Sequence, residues 1–303
     1  MKIYLTILVT FVTVSIGSCE VHWKRPNIKT FLDAQGECAS YLLIPEEQVQ
    51  KYVQDSYPDE HRVRNLVRCL LLNINAWNKN NTIKHYVFKN FFKPSEEDSC
   101  YEKRTQECLV KTVDSLPADD VNGRAYQSFL CYYRYYGNLI HEEQFIPFDI
   151  DIQVKRAKES ISVRNTSVET LQQFCKGNIL GVHEAELVLS INYVRNGFFE
   201  DGGLNLDRLF TQCGKEAILS DHTRQCVETV KSQFCDQPAR NYQLFAQCVQ
   251  ANEDLTLPLL EENSPLFLQL KGSSCDSSCG AIAVGPSSIV ADGKPSFQRF
   301  FRL

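Results

Sequence analysis

Cysteine spacing constrains this chain more than any other feature. Three blocks, each anchored on a cysteine, occur twice and in the same order. Gln35-Gly36-Glu37-Cys38 is answered by Gln172-Gln173-Phe174-Cys175. In each copy an acidic helix start follows, at Pro45-Glu46-Glu47 and at Val182-His183-Glu184. Gln106-Glu107-Cys108-Leu109-Val110-Lys111-Thr112-Val113 matches Arg224-Gln225-Cys226-Val227-Glu228-Thr229-Val230. Arg124-Ala125-Tyr126-Gln127-Ser128-Phe129-Leu130-Cys131 matches Arg240-Asn241-Tyr242-Gln243-Leu244-Phe245-Ala246-Gln247-Cys248, with one extra residue before the cysteine. Ordered self-similarity of this kind is the signature of a duplicated unit. The offset is 137 positions between Cys38 and Cys175 but 118 between Cys108 and Cys226. The second copy is therefore shorter in its middle, and the loss reads as falling near the helix that carries Cys69.

Thirteen cysteines in 303 residues imply an oxidising compartment and a disulfide framework. The N-terminus agrees: one lysine, an apolar run to Ile16, then Gly17 and Ser18, the layout of a secretory signal peptide over residues 1–19. The run is too short to be the first choice for a membrane span. Cleavage after Cys19 leaves an even number of cysteines, and cleavage after Gly17 fits small-residue rules equally well. The expected product is secreted and extracellular, and no later segment is apolar enough to span a bilayer. A net charge of −5 without a long basic run argues against nucleic acid or an acidic membrane as partner. Two sequons, at Asn80 and Asn165, are candidate glycosylation sites.

Hydrophobic periodicity predicts helices throughout. Val63, Leu66, Val67, Leu70, Ile74 and Trp77 share a helical face. Ile83, Tyr86, Val87 and Phe91 form another, stopped by Pro94. Tyr126, Phe129, Leu130, Tyr133 and Tyr136 form a third, ended by Gly137. In the second copy Leu187, Ile191 and Val194 precede Gly197, and Leu206, Leu209, Phe210 and Cys213 face one way. The expected fold is all-α, with units over 20–140 and 141–253. The Pro-, Gly- and Ser-rich stretch 254–303 reads as an extended tail.

The first copy resembles the insect pheromone- and general-odorant-binding family, in which six cysteines pair first–third, second–fifth and fourth–sixth. With Cys69 as the third and Cys131 as the sixth, the second and fifth positions fall on Asn65 and Asn122. The resemblance thus implies that one bridge has lost both partners together, leaving Cys38–Cys69 and Cys108–Cys131. Cys175, Cys226 and Cys248 resemble the first, fourth and sixth cysteines in the second copy. Cys100 has no assigned partner. A bridge that crosses between copies or reaches the tail, a free thiol in each half, and a Cys19–Cys100 pair all remain open.

The resemblance implies a carrier that holds a small apolar ligand such as an odorant or pheromone, with a sensory-neuron receptor as a further partner. The alternatives are a salivary scavenger of host amines or lipid mediators, and a cavity-free protein-interaction module. Candidate lining residues are Trp77, Tyr86, Phe88, Phe91, Tyr126, Phe129 and Tyr133 in the first copy, with Phe210, Tyr242 and Phe245 in the second. Aromatic stripes at helical spacing are more often plain core. The tail, through Pro265, Phe267 and Leu268, is a candidate cover for the second pocket. The histidines, including His85, His141, His183 and His222, are scattered and read as surface residues. No pair of them has metal-ligand spacing, and Cys275-Asp276-Ser277-Ser278-Cys279 is not a zinc motif. No short catalytic motif occurs, so neither an enzyme nor a cofactor is expected.

Overall fold

The computed structural model describes residues 27–200, 203–234 and 237–275. Residues 1–19, read from sequence as a signal peptide, the position of Cys235, and Cys279 with the residues after it lie outside the described residues. Six helices build the first unit: α1 (Phe31–Tyr41), α2 (Glu46–Gln54), α3 (His61–Asn73), α4 (His85–Phe88), α5 (Tyr101–Thr112) and α6 (Val121–Tyr135). Helix α1 starts at a reciprocal cap. The Asp33 N–H donates to the Thr30 hydroxyl at 2.9 Å, and the Asp33 carboxylate accepts the Thr30 N–H at 3.2 Å. At the start of α6 the Asp120 carboxylate accepts the Gly123 N–H at 2.9 Å.

The stripe Val63, Leu66, Val67 and Leu70 on α3 is buried, as are Tyr126, Phe129 and Leu130 on α6. The two helices lie along one another at the centre of the first core. Disulfides Cys38–Cys69 and Cys108–Cys131 tie α1 to α3 and α5 to α6. Between α3 and α6 the Asn122 side-chain N–H donates to the Asn65 side-chain oxygen at 2.8 Å. The two positions where the family resemblance places a bridge are therefore in contact, joined by a hydrogen bond.

The second unit contains α7 (Ile150–Arg164), α8 (Val168–Cys175), α9 (His183–Arg195), α10 (Leu206–Cys213), α11 (Asp221–Gln233), α12 (Gln237–Gln243) and α13 (Thr256–Leu270). Its elements follow those of the first. Helix α9 has thirteen residues, as α3 does, and packs on α12 as α3 packs on α6. The offset between His61 and His183 is 122 positions, against 137 between Cys38 and Cys175. Most of the shortening thus precedes α9, and the segment without a counterpart is α2, not the helix that bears Cys69. The extra residue before Cys248 also has a structural consequence. Helix α12 runs into a π turn, Leu244–Val249. Wider i→i+5 hydrogen bonding absorbs one additional residue, so Cys248 still meets Cys226.

Two expectations fail here. The stripe Leu187, Ile191, Val194 is not the inner face of α9, since Leu187 and Val194 are 40% and 43% exposed. Ala185, Val188, Leu189, Asn192 and Tyr193 are buried instead, because α9 is held between α7 and α12. The stretch after Asp254 is not extended over its described length. Residues Thr256–Leu270 form α13, which packs on α7 and α8 and buries Leu259, Leu260 and Leu268. The buried Glu253 carboxylate caps α13 by accepting the Leu255 and Thr256 N–H groups at 3.1 and 3.0 Å. A Cys175–Cys275 bridge then fastens the end of this segment to α8.

Short ribbons close the units. Strands β1 (Ile28–Lys29), β2 (Phe92–Lys93), β3 (Asn138–Leu139) and β4 (Gln144–Phe145) pair antiparallel as β1–β4 and β2–β3. Phe145 enters the second core while Ile146 enters the first, as alternation along an extended segment requires. Across the seam, Tyr86 meets Phe210 with ring centroids 6.1 Å apart. The Asn90 side chain donates to the Thr211 hydroxyl at 2.9 Å. Within the second unit the Gln212 amide accepts the Phe148 N–H at 2.8 Å and donates to the Phe148 carbonyl at 3.0 Å. Among the described residues no disulfide joins the two units, and Cys100 and Cys213 form none.

Two stability measurements follow from this packing. Leu260→Ala empties a fully buried site and is expected to cost about 2–5 kcal/mol in denaturant unfolding. The pair Asn65→Cys and Asn122→Cys is expected to oxidise to a further bridge, seen by mass after thiol alkylation, and to raise stability by about 2–4 kcal/mol.

Candidate functional site

Most of the aromatic residues read as pocket lining are packed against each other. Phe88, Phe91 and Phe129 are fully buried and Tyr126 is 1% exposed. Phe129 lies 6.1 Å from Phe31, 6.4 Å from Phe88 and 4.7 Å from Tyr57 between ring centroids. Rings of this size in edge-to-face and offset contact fill the middle of a small bundle. Trp77 is buried in a bridge with Ile83, away from any ligand-sized hollow described below. Tyr86 and Phe210, assigned to different pockets by sequence, face one another across the seam. In the second core Phe245 packs on Tyr193 at 5.2 Å, and the Tyr242 hydroxyl donates to the Leu180 carbonyl. Phe88, Phe91, Tyr126 and Phe129 are therefore buried in the first core and Phe245 in the second, each 0–1% exposed.

Tyr133 is the exception. Its ring stacks on Phe129 at 5.5 Å and also lines a cleft of about 460 Å³ between α1, α2, α6 and the chain leaving α6. Phe31, Leu32, Val53, Tyr57, Leu139 and Ile140 form most of its remaining wall, with Asn138 and His141 as polar edges. A second hollow, about 530 Å³ between α1 and α2, shares Leu32 and Val53 with it. Together they make a trough along α1 that runs from a half lined by Gln35, Glu46, Gln50 and Gln54 to an apolar half that ends on aromatic rings. Few polar groups amid apolar walls, as in that second half, is the usual make-up of a small-ligand site.

Local backbone chemistry builds that cleft. Ser56 and Tyr57 both adopt left-handed backbone angles, φ 56° and 57°, which a bulky residue rarely takes. Three hydrogen bonds hold the turn: the Tyr57 N–H donates to the Tyr52 carbonyl at 2.7 Å, the Tyr57 hydroxyl donates to the Gln35 side-chain oxygen at 2.9 Å, and the Tyr126 hydroxyl donates to the Tyr57 carbonyl at 2.7 Å. Burial first, and then Tyr133, pushes the Tyr57 hydroxyl far above the ordinary tyrosine range, so it stays a donor. Strain held by surrounding contacts in this way often marks a functional wall. On the opposite side Gly137 lets the chain pass close to β2, where an added Cβ would lie 2.4 Å from the Lys93 carbonyl oxygen.

Sequence reading missed Leu32, Val53, Tyr57, Leu139 and Ile140. Leu32 and Val53 are 53% and 39% exposed and lie off the buried stripes, so periodicity does not mark them. A usable signal was the pairing of Gly137 with the extended Asn138–Leu139 just after a strongly aromatic helix. Among the sequons, Asn80 is exposed and its side chain has no hydrogen-bond partner among the described residues. Asn165 is also exposed, but its side-chain oxygen accepts from Lys271 at 2.9 Å. His85 is exposed, as read from sequence, and its Nδ1 lies 2.7 Å from the Tyr132 hydroxyl. Among the described residues no cluster of His, Cys, Asp or Glu could hold a metal ion, and no helix is long and apolar enough to cross a membrane.

Residues 20–135 match the model of the PBP/GOBP family. The chain is 29% identical over 121 residues to general odorant-binding protein 69 of Anopheles gambiae, an alignment covering 37% of this chain and 52% of that protein. It thus spans about half the length of this curated relative. No solved structure matches. The matched segment contains α1 to α6 with both of their disulfides and ends before α7.

Tyr126→Phe deletes the hydrogen bond to the Tyr57 carbonyl and nothing else of the ring. It is expected to cost about 1–2 kcal/mol in chemical unfolding, and to speed amide exchange at Ser56 and Tyr57 more than within α6.

Proposed function

We propose that the chain, whose residues 20–135 match the PBP/GOBP family model, is a secreted carrier of a small apolar ligand, an odorant or pheromone in chemical class. The observation that carries this reading is the cleft between α1, α2 and α6, with its aromatic floor of Phe31, Tyr57 and Tyr133 and its aliphatic sides of Leu32, Val53, Leu139 and Ile140. The name of the mosquito relative, an odorant-binding protein, supports the same ligand class.

The second unit is, on this reading, a shortened copy of the first in which α13 takes up the space beside α8 that a counterpart of α2 would need. Towards the apolar ligand its own role is structural, and binding in that cleft belongs to the first unit. The cysteine frames support this: the Cys108–Cys131 and Cys226–Cys248 bridges span 23 and 22 residues and join equivalent helices.

Titration of the full chain with the apolar fluorophore N-phenyl-1-naphthylamine tests the proposal. One saturable site is expected. Val53→Asp puts a charge on its wall and should weaken binding about tenfold or more. Val194→Asp, on the exposed face of α9, should leave it unchanged. A chain that takes up no probe favours a protein-interaction module, a reading supported by the filled aromatic interior of the first unit.

A further inference from the structure

A separate hollow of about 480 Å³ opens where the two units meet, with walls from α4, α5 and α6 on one side and from the segment after α10 on the other. Its floor is aromatic. Tyr132 and Tyr136 stack with centroids 5.1 Å apart, and both are at least nine-tenths buried. The far wall cannot recede. Gly214 adopts φ 72°, and a Cβ there would lie 2.7 Å from the Tyr86 ring, so the two units touch without an intervening side chain.

The polar groups of this hollow have a definite character. The Tyr132 hydroxyl lies 2.7 Å from His85 Nδ1, while among the described residues Nε2 of the same ring has no hydrogen-bond partner. Partial desolvation lowers the His85 pKa, which favours the neutral imidazole. A neutral ring has one donor and one acceptor nitrogen. Nε2 therefore offers a ligand one or the other, and a hydroxyl can satisfy both. Four charged residues line the hollow, Lys89 and Lys103 against Glu102 and Glu216. Their charges cancel, so the site has no net attraction for an anion or a cation.

We propose that this seam is a second binding site, built from both units, for a small neutral aromatic alcohol of the phenol type. The ring lies against Tyr132 and Tyr136 and the hydroxyl meets His85 Nε2. The site is independent of the apolar cleft of the first unit, and it explains why the seam is fixed by side-chain hydrogen bonds and a glycine contact instead of being left open.

Calorimetry of the full chain with 4-methylphenol tests it, using toluene, 4-methylbenzoate and 4-methylbenzylamine as comparators. The phenol should bind about tenfold more tightly than each comparator. His85→Leu should bring the phenol down to the affinity of toluene. Should that variant fold poorly, Glu216→Lys, an exposed change contributed by the second unit, makes the lining net positive and should turn preference towards 4-methylbenzoate. Val53→Asp should leave phenol binding intact, which separates failure of this site from failure of the first. The proposal is overturned by absent phenol binding, by binding that ignores both seam variants, or by full displacement of the phenol by N-phenyl-1-naphthylamine.

Discussion

The stapling of α6 to α5 in the first unit, and of the matching π turn to α11 in the second, is the constraint on which the rest depends. Cys108–Cys131 holds α6 against α5, and Cys226–Cys248 holds the π turn against α11. With α6 fixed, its buried face, Tyr126, Phe129 and Leu130, sets where α3 must lie, and Cys38–Cys69 then brings α1 alongside. A cross-link of this kind removes conformations from the unfolded chain, which helps a small bundle reach a single packed state. The hydrogen bond between Asn122 and Asn65 keeps the third contact of the set in non-covalent form.

How much of this was readable before any coordinates depended on whether an interaction was local or tertiary. Helix α3 announced itself because Val63, Leu66, Val67 and Leu70 repeat at helical spacing and really are buried. The single extra residue before Cys248 was visible as a mismatch, and it is taken up by the π turn. The inner face of α9 was misread because a helix enclosed on two sides buries a wider arc, including polar Asn192, than a single apolar stripe suggests. Helix α13 was hidden by Pro258 and Pro265, which read as breakers, although the first lies in the opening turn, where proline is tolerated. The cleft was least readable of all. Its walls join residues from α1, α2 and the Asn138–His141 segment that no periodicity links, and Tyr57 enters it through a backbone conformation sequence does not specify.

The aromatic residues divide into two populations that composition alone cannot separate. One set, centred on Phe129, locks the first unit's interior. The other, including Tyr133, Tyr132 and Tyr136, sits where the bundle meets its surface and leaves volume in front of the rings. A hydroxyl on the ring tip suits the second population, because it can be bonded at one end while the face stays apolar. Phenylalanine dominates where no polar tip is tolerated.

The β1–β4 ribbon has a consequence for how such a chain can be rearranged. Ile28 lies opposite Phe145, so the first unit begins and ends at neighbouring points. A folded body whose entry and exit coincide behaves like a bead clipped to the chain at one spot. Joining its ends and opening it at a loop elsewhere, or inserting it into another host, would leave its core contacts in place. The same closure makes such a body easy to copy in tandem, since a second bead can be added without rerouting the first.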